Sequence, residues 1–274
     1  MAQDEVRPWP ELERRGSCPL LRPRSRKTFA AVERQPTRGR QRRTSLVYTL
    51  IIGTKNWSSW SLRAWLALKA TGASFEEILV PLRRPESKTL IRAHSPSARV
   101  PVLRIKDGAH EAVVFDSLAI CETLAERHLD AGLWPEDSAA RALARSYAAE
   151  IHSGFLALRE ALSMDFARRL PTPPLDETVR EQIRRIQEAW RAALARFGTH
   201  DGFLFGRFSI ADCMYAPVVS RFQTYAVPMP ADVEGYARRV MALPAMKEWL
   251  ADSQKEIADG LPDQWLVDMV RNAR

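Results

Sequence analysis

Three short stretches place polar side chains where chemistry is feasible. In "NWSSWSLR", Ser58 and Ser59 stand between an apolar run, "LVYTLIIG", and a segment with helical spacing. As helix caps they would satisfy free backbone amides. A serine hydroxyl at a helix N-terminus can also donate to a bound sulfur. The partial positive charge there favours thiolate over thiol, and the thiolate is the nucleophile. Lowering a thiol's pKa in this way needs no histidine base.

The second stretch is "ARVPVL", in which Pro101 precedes a strand. Proline is tolerated at a strand's first position. Alternatively the Val100–Pro101 bond is cis and turns the Val100 backbone groups outward, where an extended peptide can add to them. The third is "VVFDSLAI", with Asp116 and Ser117 at a strand-to-helix turn. They read as an N-cap. The same amides and the Ser117 hydroxyl would suit a carboxylate, and Asp116 an ammonium, so an α-amino acid head fits this corner.

The elements around these stretches form one series. "SLVYTLIIG" is a strand, and Leu62, Trp65, Leu66 and Leu68 give a helix that ends by Gly72. "FEEILV" is a second strand and "VPVLRIKDG" a third. An Asp-Gly turn leads into "HEAVVF", and "DSLAICETLAERHL" closes the unit as a helix. The order is β-α-β-α-β-β-α. A linker, residues 130–137, follows, and the rest is helical. One long helix is expected from Ala139 to Phe166, a second from Asp176 to Phe197 and a third over "IADCMYAPVVSRFQTY". The expected layout is a basic extension (residues 1–45), an α/β domain (46–129) and an all-α domain (138–274).

Charge sharpens this division. The 274 residues carry a formal net charge of +8, but residues 1–45 hold 12 Lys+Arg and 5 Asp+Glu. The globular remainder is nearly neutral. The Arg- and Pro-rich extension reads as disordered and without a catalytic role. Nucleic acid is therefore not the expected partner. Apolar runs are only strand length, and the start has no apolar signal core, so no membrane segment is expected. Cys18, Cys121 and Cys213 are scattered and form no CxxC or Cys/His cluster. This points to a reducing cytoplasm, to no metal site, and to Cys121 and Cys213 as buried apolar residues.

The three motifs, in this order on this frame, resemble the soluble glutathione S-transferases over roughly residues 46–255. The resemblance implies a thioredoxin-like domain followed by a helical bundle. "NWSSWSLR" is similar to the family's serine-type catalytic turn, so Ser58, with Ser59 second, is expected to face the glutathione sulfur. Val100 and Pro101 resemble the family's cis-proline pair that binds the cysteinyl backbone. Asp116 and Ser117 resemble its γ-glutamyl site, and Arg99 is placed to reach the glycyl carboxylate. "SIAD", Ser209 to Asp212, resembles the family's capping box, whose role is folding. Trp60 replaces the cysteine of the isomerase-like pattern "SSCSxR", a departure from that subgroup. Trp57 or Trp60 is expected to border a pocket for the second substrate, which should lie between the domains near the long helix around Tyr147 to Met164.

The reading is a cytoplasmic, homodimeric detoxification enzyme. It activates glutathione, a co-substrate, for attack on an apolar electrophile. A glutathione-dependent isomerase or peroxidase on the same fold, and a non-catalytic scaffold, are the alternatives.

Overall fold

The computed structural model describes residues 46–198 and 202–260. The basic extension and Cys18 lie outside the described residues. Four strands, β1 (Leu46–Gly53), β2 (Phe75–Val80), β3 (Val102–Asp107) and β4 (His110–Phe115), form one sheet in the order β2-β1-β3-β4. β1 runs parallel to β2 and antiparallel to β3, and β3 and β4 form a hairpin. This is the expected thioredoxin-like unit.

β1 is central because it is apolar on both faces. Tyr48, Leu50 and Ile52 join the main core, whereas Ile51 points the other way into a small cluster with Val80, Ile91 and Val102. Helices α1 (Ser59–Ala70) and α3 (Ser117–Arg127) cover the first face. They contribute Leu62, Trp65, Leu66, Ile120, Cys121 and Leu124. Helix α2 (Ser87–Arg92) supplies Ile91 to the second.

The helical half comprises α4 (Ser138–Ser153), α5 (Leu156–Ala161), α6 (Glu177–Phe197), α7 (Ile210–Thr224), α8 (Ala231–Ala242) and α9 (Pro244–Ala258). Helix α7 is the axis of this half: each of its residues except Gln223 is buried. Its start carries the expected capping box between Ser209 and Asp212. The Asp212 carboxylate is fully buried and accepts from Leu204 N, Ser209 N, Ser209 Oγ and Tyr236 Oη. The described residues form one compact unit. Among the described residues no helix is long and apolar enough to cross a membrane.

The single helix expected from Ala139 to Phe166 is instead two. α4 ends at Ser153, Gly154 is extended, and Phe155 is left-handed with φ 61°. A glycine weakens a helix interior, and burial of Phe155 holds the unusual backbone there. On either side of this break, the end of α4 and Arg159 of α5 come beside the sheet's motif-bearing end.

Candidate active site

The turn between β1 and α1 is held from within and without. Thr54 O accepts from Trp57 N and Ser58 N. Glu256 on α9 accepts from Lys55 N at 2.8 Å and Asn56 N at 2.9 Å. The Asn56 side chain donates to Asp165 and accepts from Ala167 N. Buried Lys55 pairs with Glu77 and Asp252. With its backbone so fixed, the turn presents α1 in one orientation.

Ser58 is the N-cap of α1. Its Oγ accepts from Ser61 N and donates to Ser61 Oγ at 2.7 Å, and Ser61 Oγ in turn accepts from Gly53 N. The Ser58 hydroxyl hydrogen is therefore engaged inside the turn. Ser59, the first residue of α1, differs: its Oγ accepts from Arg221 Nη2 at 3.4 Å, and its hydroxyl hydrogen has no acceptor among the described residues. Both serines are buried.

A cleft of about 640 Å3 opens beside this helix start. Trp60, Arg99, Val100, Pro101, Asp116 and Ser117 line it from the α/β half. The Val100–Pro101 bond is cis. Asp116 adopts φ 62° and caps α3, accepting from Leu118 N at 2.8 Å. Its other oxygen lies 3.4 Å from His152 Nε2. Ser117 Oγ is buried and has no hydrogen-bond partner among the described residues. A buried hydroxyl costs free energy unless something pairs with it, so this corner is built to meet a polar ligand.

His152 and Ser153 from the end of α4, and Arg159 from α5, complete the cleft's lining from the helical half. His152 meets Trp60 edge to face, with centroids 5.2 Å apart. Burial, and behind it the nearby Arg63 and Arg159, hold the His152 pKa below its ordinary value of 6.5, against the pull of Asp116.

Positive charge gathers behind Trp60. Arg63 is fully buried and ties α1 to the helical half, donating to Met214 O and Ile151 O. Arg221 donates to Leu162 O and Pro217 O as well as to Ser59. Burial, followed by the field of Arg159, pushes Arg63 down to about 9 and Arg221 to about 10. Neither has a carboxylate partner among the described residues. Three cations thus surround the start of α1, where the helix dipole is also positive.

The cleft brings together Trp60, Arg99, Val100, Pro101, Asp116 and Ser117. Ser58 and Ser59 sit at the adjacent helix start and are not among its lining residues. Trp57 is buried outside the cleft, with the Arg83 guanidinium over its ring at 4.7 Å. Sequence reasoning missed His152, Arg159 and Arg221. His152 and Arg159 lie on helices and Arg221 in the almost wholly buried α7, and no spacing marks any of them. Cys121 and Cys213 are fully buried as expected, and burial pushes the Cys121 thiol up to about 12.

Comparisons with known proteins agree with this fold. Residues 57–127 match the glutathione S-transferase N-terminal domain and residues 147–252 the C-terminal domain. A "probable glutathione S-transferase BZ2" from Zea mays is 26% identical over 222 residues, 73% of this chain and 89% of that protein. A "probable maleylacetoacetate isomerase" from Caenorhabditis elegans is 38% identical over 96 residues, spanning 35% of this chain and only 42% of that relative. Among solved structures, a glutathione transferase homologue from Burkholderia GL BGR1, with bound glutathione, is similar at 25% identity. Its TM-score is 0.56, covering 76% of this chain and 98% of that one. An omega-class transferase from Trametes versicolor shares the fold at 22% identity and TM-score 0.59, covering 79% of this chain and 100% of that one. The two domain matches, in order on this fold, place the chain in the glutathione S-transferase family.

Proposed function

We propose that the chain is a glutathione transferase that ionises the glutathione thiol and directs it at a small electrophile. The observation that carries this reading is the convergence of Asp116, the unpartnered Ser117 hydroxyl, Val100 and Arg99 on one cleft beside the start of α1. In this reading the α3 amides and Ser117 take the γ-glutamyl carboxylate, and Asp116 takes the ammonium. The Val100 backbone meets the cysteinyl residue, and Arg99 takes the glycyl carboxylate.

The sulfur then lies at the positive end of α1. Ser59 is the better donor to it, because the Ser58 hydrogen is spent on Ser61 while Ser59 accepts from Arg221 and keeps its own hydrogen to give. A hydroxyl polarised by a buried guanidinium at a helix N-terminus favours thiolate. Ser58 caps the helix in this account. The thiol proton passes to solvent. The sulfur forms a bond to the electrophilic carbon, and the leaving group departs with its bonding pair. The protein acts in the cytoplasm as a homodimer.

Incubating the full chain with glutathione and chlorodinitrobenzene tests the reading: an S-aryl conjugate should form well above the uncatalysed rate. A second reading, isomerisation, is favoured by the local 38% identity to the isomerase relative. It would return glutathione unconsumed, so mass analysis of the glutathione pool after turnover separates the two.

A further inference from the structure

From the placement of Arg159 we infer that the second substrate is a carboxylate-bearing electrophile whose acid group docks on Arg159, with its body against Trp60. This rests on the glutathione reading above and names the substrate class of that site. Arg159 lines the same cleft from α5. Its guanidinium carbon lies 4.9 Å from the centroid of the Trp60 ring, and Arg63 lies over the same ring at 4.4 Å. Its Nη2 donates to Ile151 O and His152 O, which fixes the head group at the end of α4. Its Nε and Nη1 have no partner among the described residues, nor does any carboxylate there pair with it. A guanidinium held over an aromatic ring with donors to spare is a pre-organised acceptor for a planar acid.

Charge counting makes the same point. Glutathione brings two carboxylates, and the cleft already offers each a partner, the α3 N-terminus with Ser117 and the exposed Arg99. Arg159 is a third anion acceptor that glutathione does not use. The buried guanidiniums of Arg63 and Arg221 raise the positive potential behind it, and desolvation lowers its own pKa. An unneutralised cluster of this kind is costly to fold and gains when an anion arrives. A purely apolar electrophile would leave that charge unanswered, so the site discriminates for acids. With an acidic aryl halide, the glutathione sulfur bonds to the ring carbon, chloride leaves with the bonding pair, and the thiol proton has already gone to solvent.

Calorimetry on the full chain with dinitrobenzoate and dinitrobenzamide, two unreactive probes that differ in charge, tests this. The acid should bind about tenfold more tightly than the amide, both in free protein and at saturating glutathione. Arg159→Gln should abolish the preference while leaving glutathione affinity within about twofold, and Arg159→Lys should keep part of it. Equal binding of the two probes overturns the inference. So does a preference that survives in Arg159→Gln, or one that glutathione abolishes, since the acid would then be occupying a glutathione carboxylate site. Should Arg159→Gln fail to fold, the wild-type comparison with and without glutathione and the Arg159→Lys variant still decide. Failure of glutathione itself to bind would sink the transferase reading and leave the acid-versus-amide result on free protein standing by itself.

Discussion

Arg221 on α7 donates to Ser59 Oγ at 3.4 Å, across 162 positions of sequence. The contact joins the axis of the helical half to the first turn of α1. It also separates the two adjacent serines chemically. Ser58 gives its hydrogen to Ser61, whereas Ser59 faces a buried cation.

Substitution at the two serines should therefore give different phenotypes. Ser59→Ala is expected to lower kcat/KM about a hundredfold, the usual scale for losing one donor to a developing anion. Ser58→Ala should cost about 1 kcal/mol of stability as a lost helix cap and leave most of the activity. Steady-state kinetics beside thermal melts distinguish them. A large kinetic defect confined to Ser58→Ala would reverse the assignment.

The turn before α1 owes its position partly to α9. Glu256 accepts the Lys55 and Asn56 amides, and burial raises its pKa while these donors and Lys55 oppose the rise. Removing it in Glu256→Ala leaves two amides without their acceptor, at a cost of about 1–2 kcal/mol. The expected kinetic signature is a fall in kcat several times larger than any loss of glutathione affinity, because Asp116 and Ser117 stay in place.

Asp212 is a folding residue. It accepts four hydrogen bonds at the start of the most buried helix and is remote from the cleft lining. Asp212→Ala should destabilise by about 2–4 kcal/mol through orphaned buried donors. The KM for glutathione, measured well below the variant's melting temperature, should stay within about twofold.

His152 makes glutathione binding sensitive to acid. Its folded pKa is depressed, so it is neutral at pH 7 and leaves Asp116 to an ammonium. As pH falls below 6.5 and then through the depressed value, the imidazolium forms and pairs with Asp116. Glutathione affinity should fall over that window. His152→Gln should flatten the acid limb, and a titration from pH 7 to pH 5 by calorimetry reads the difference.

The legible parts of the sequence were the local ones. The continuous apolar run of β1, the Asp-Gly hairpin and the capping residues Asp116 and Ser209 each announce themselves within a few positions. Val100–Pro101 and Asp116–Ser117 are near neighbours in sequence and fall in one cleft. The lining from the helical half was legible only as a segment, Tyr147 to Met164, and not residue by residue. Arg159 lines the cleft from beyond a break at Gly154 and Phe155 in a helix whose composition reads as continuous, and His152 from just before it. Arg221 meets Ser59 through packing of α7, which no spacing encodes. The same limit applies to the tryptophans: Trp57 precedes the cap and turns into the core, while Trp60, one residue into the helix, faces the cleft.

The most direct test of the account is the pKa of glutathione's thiol when bound to the full chain, read from thiolate ultraviolet absorbance as pH is varied. The account predicts a bound thiol ionising at least about one unit below the free value near 8.5, with most of that shift lost in Ser59→Ala. A bound thiol that titrates as it does in solution would contradict the claim that the start of α1 is built to make a thiolate.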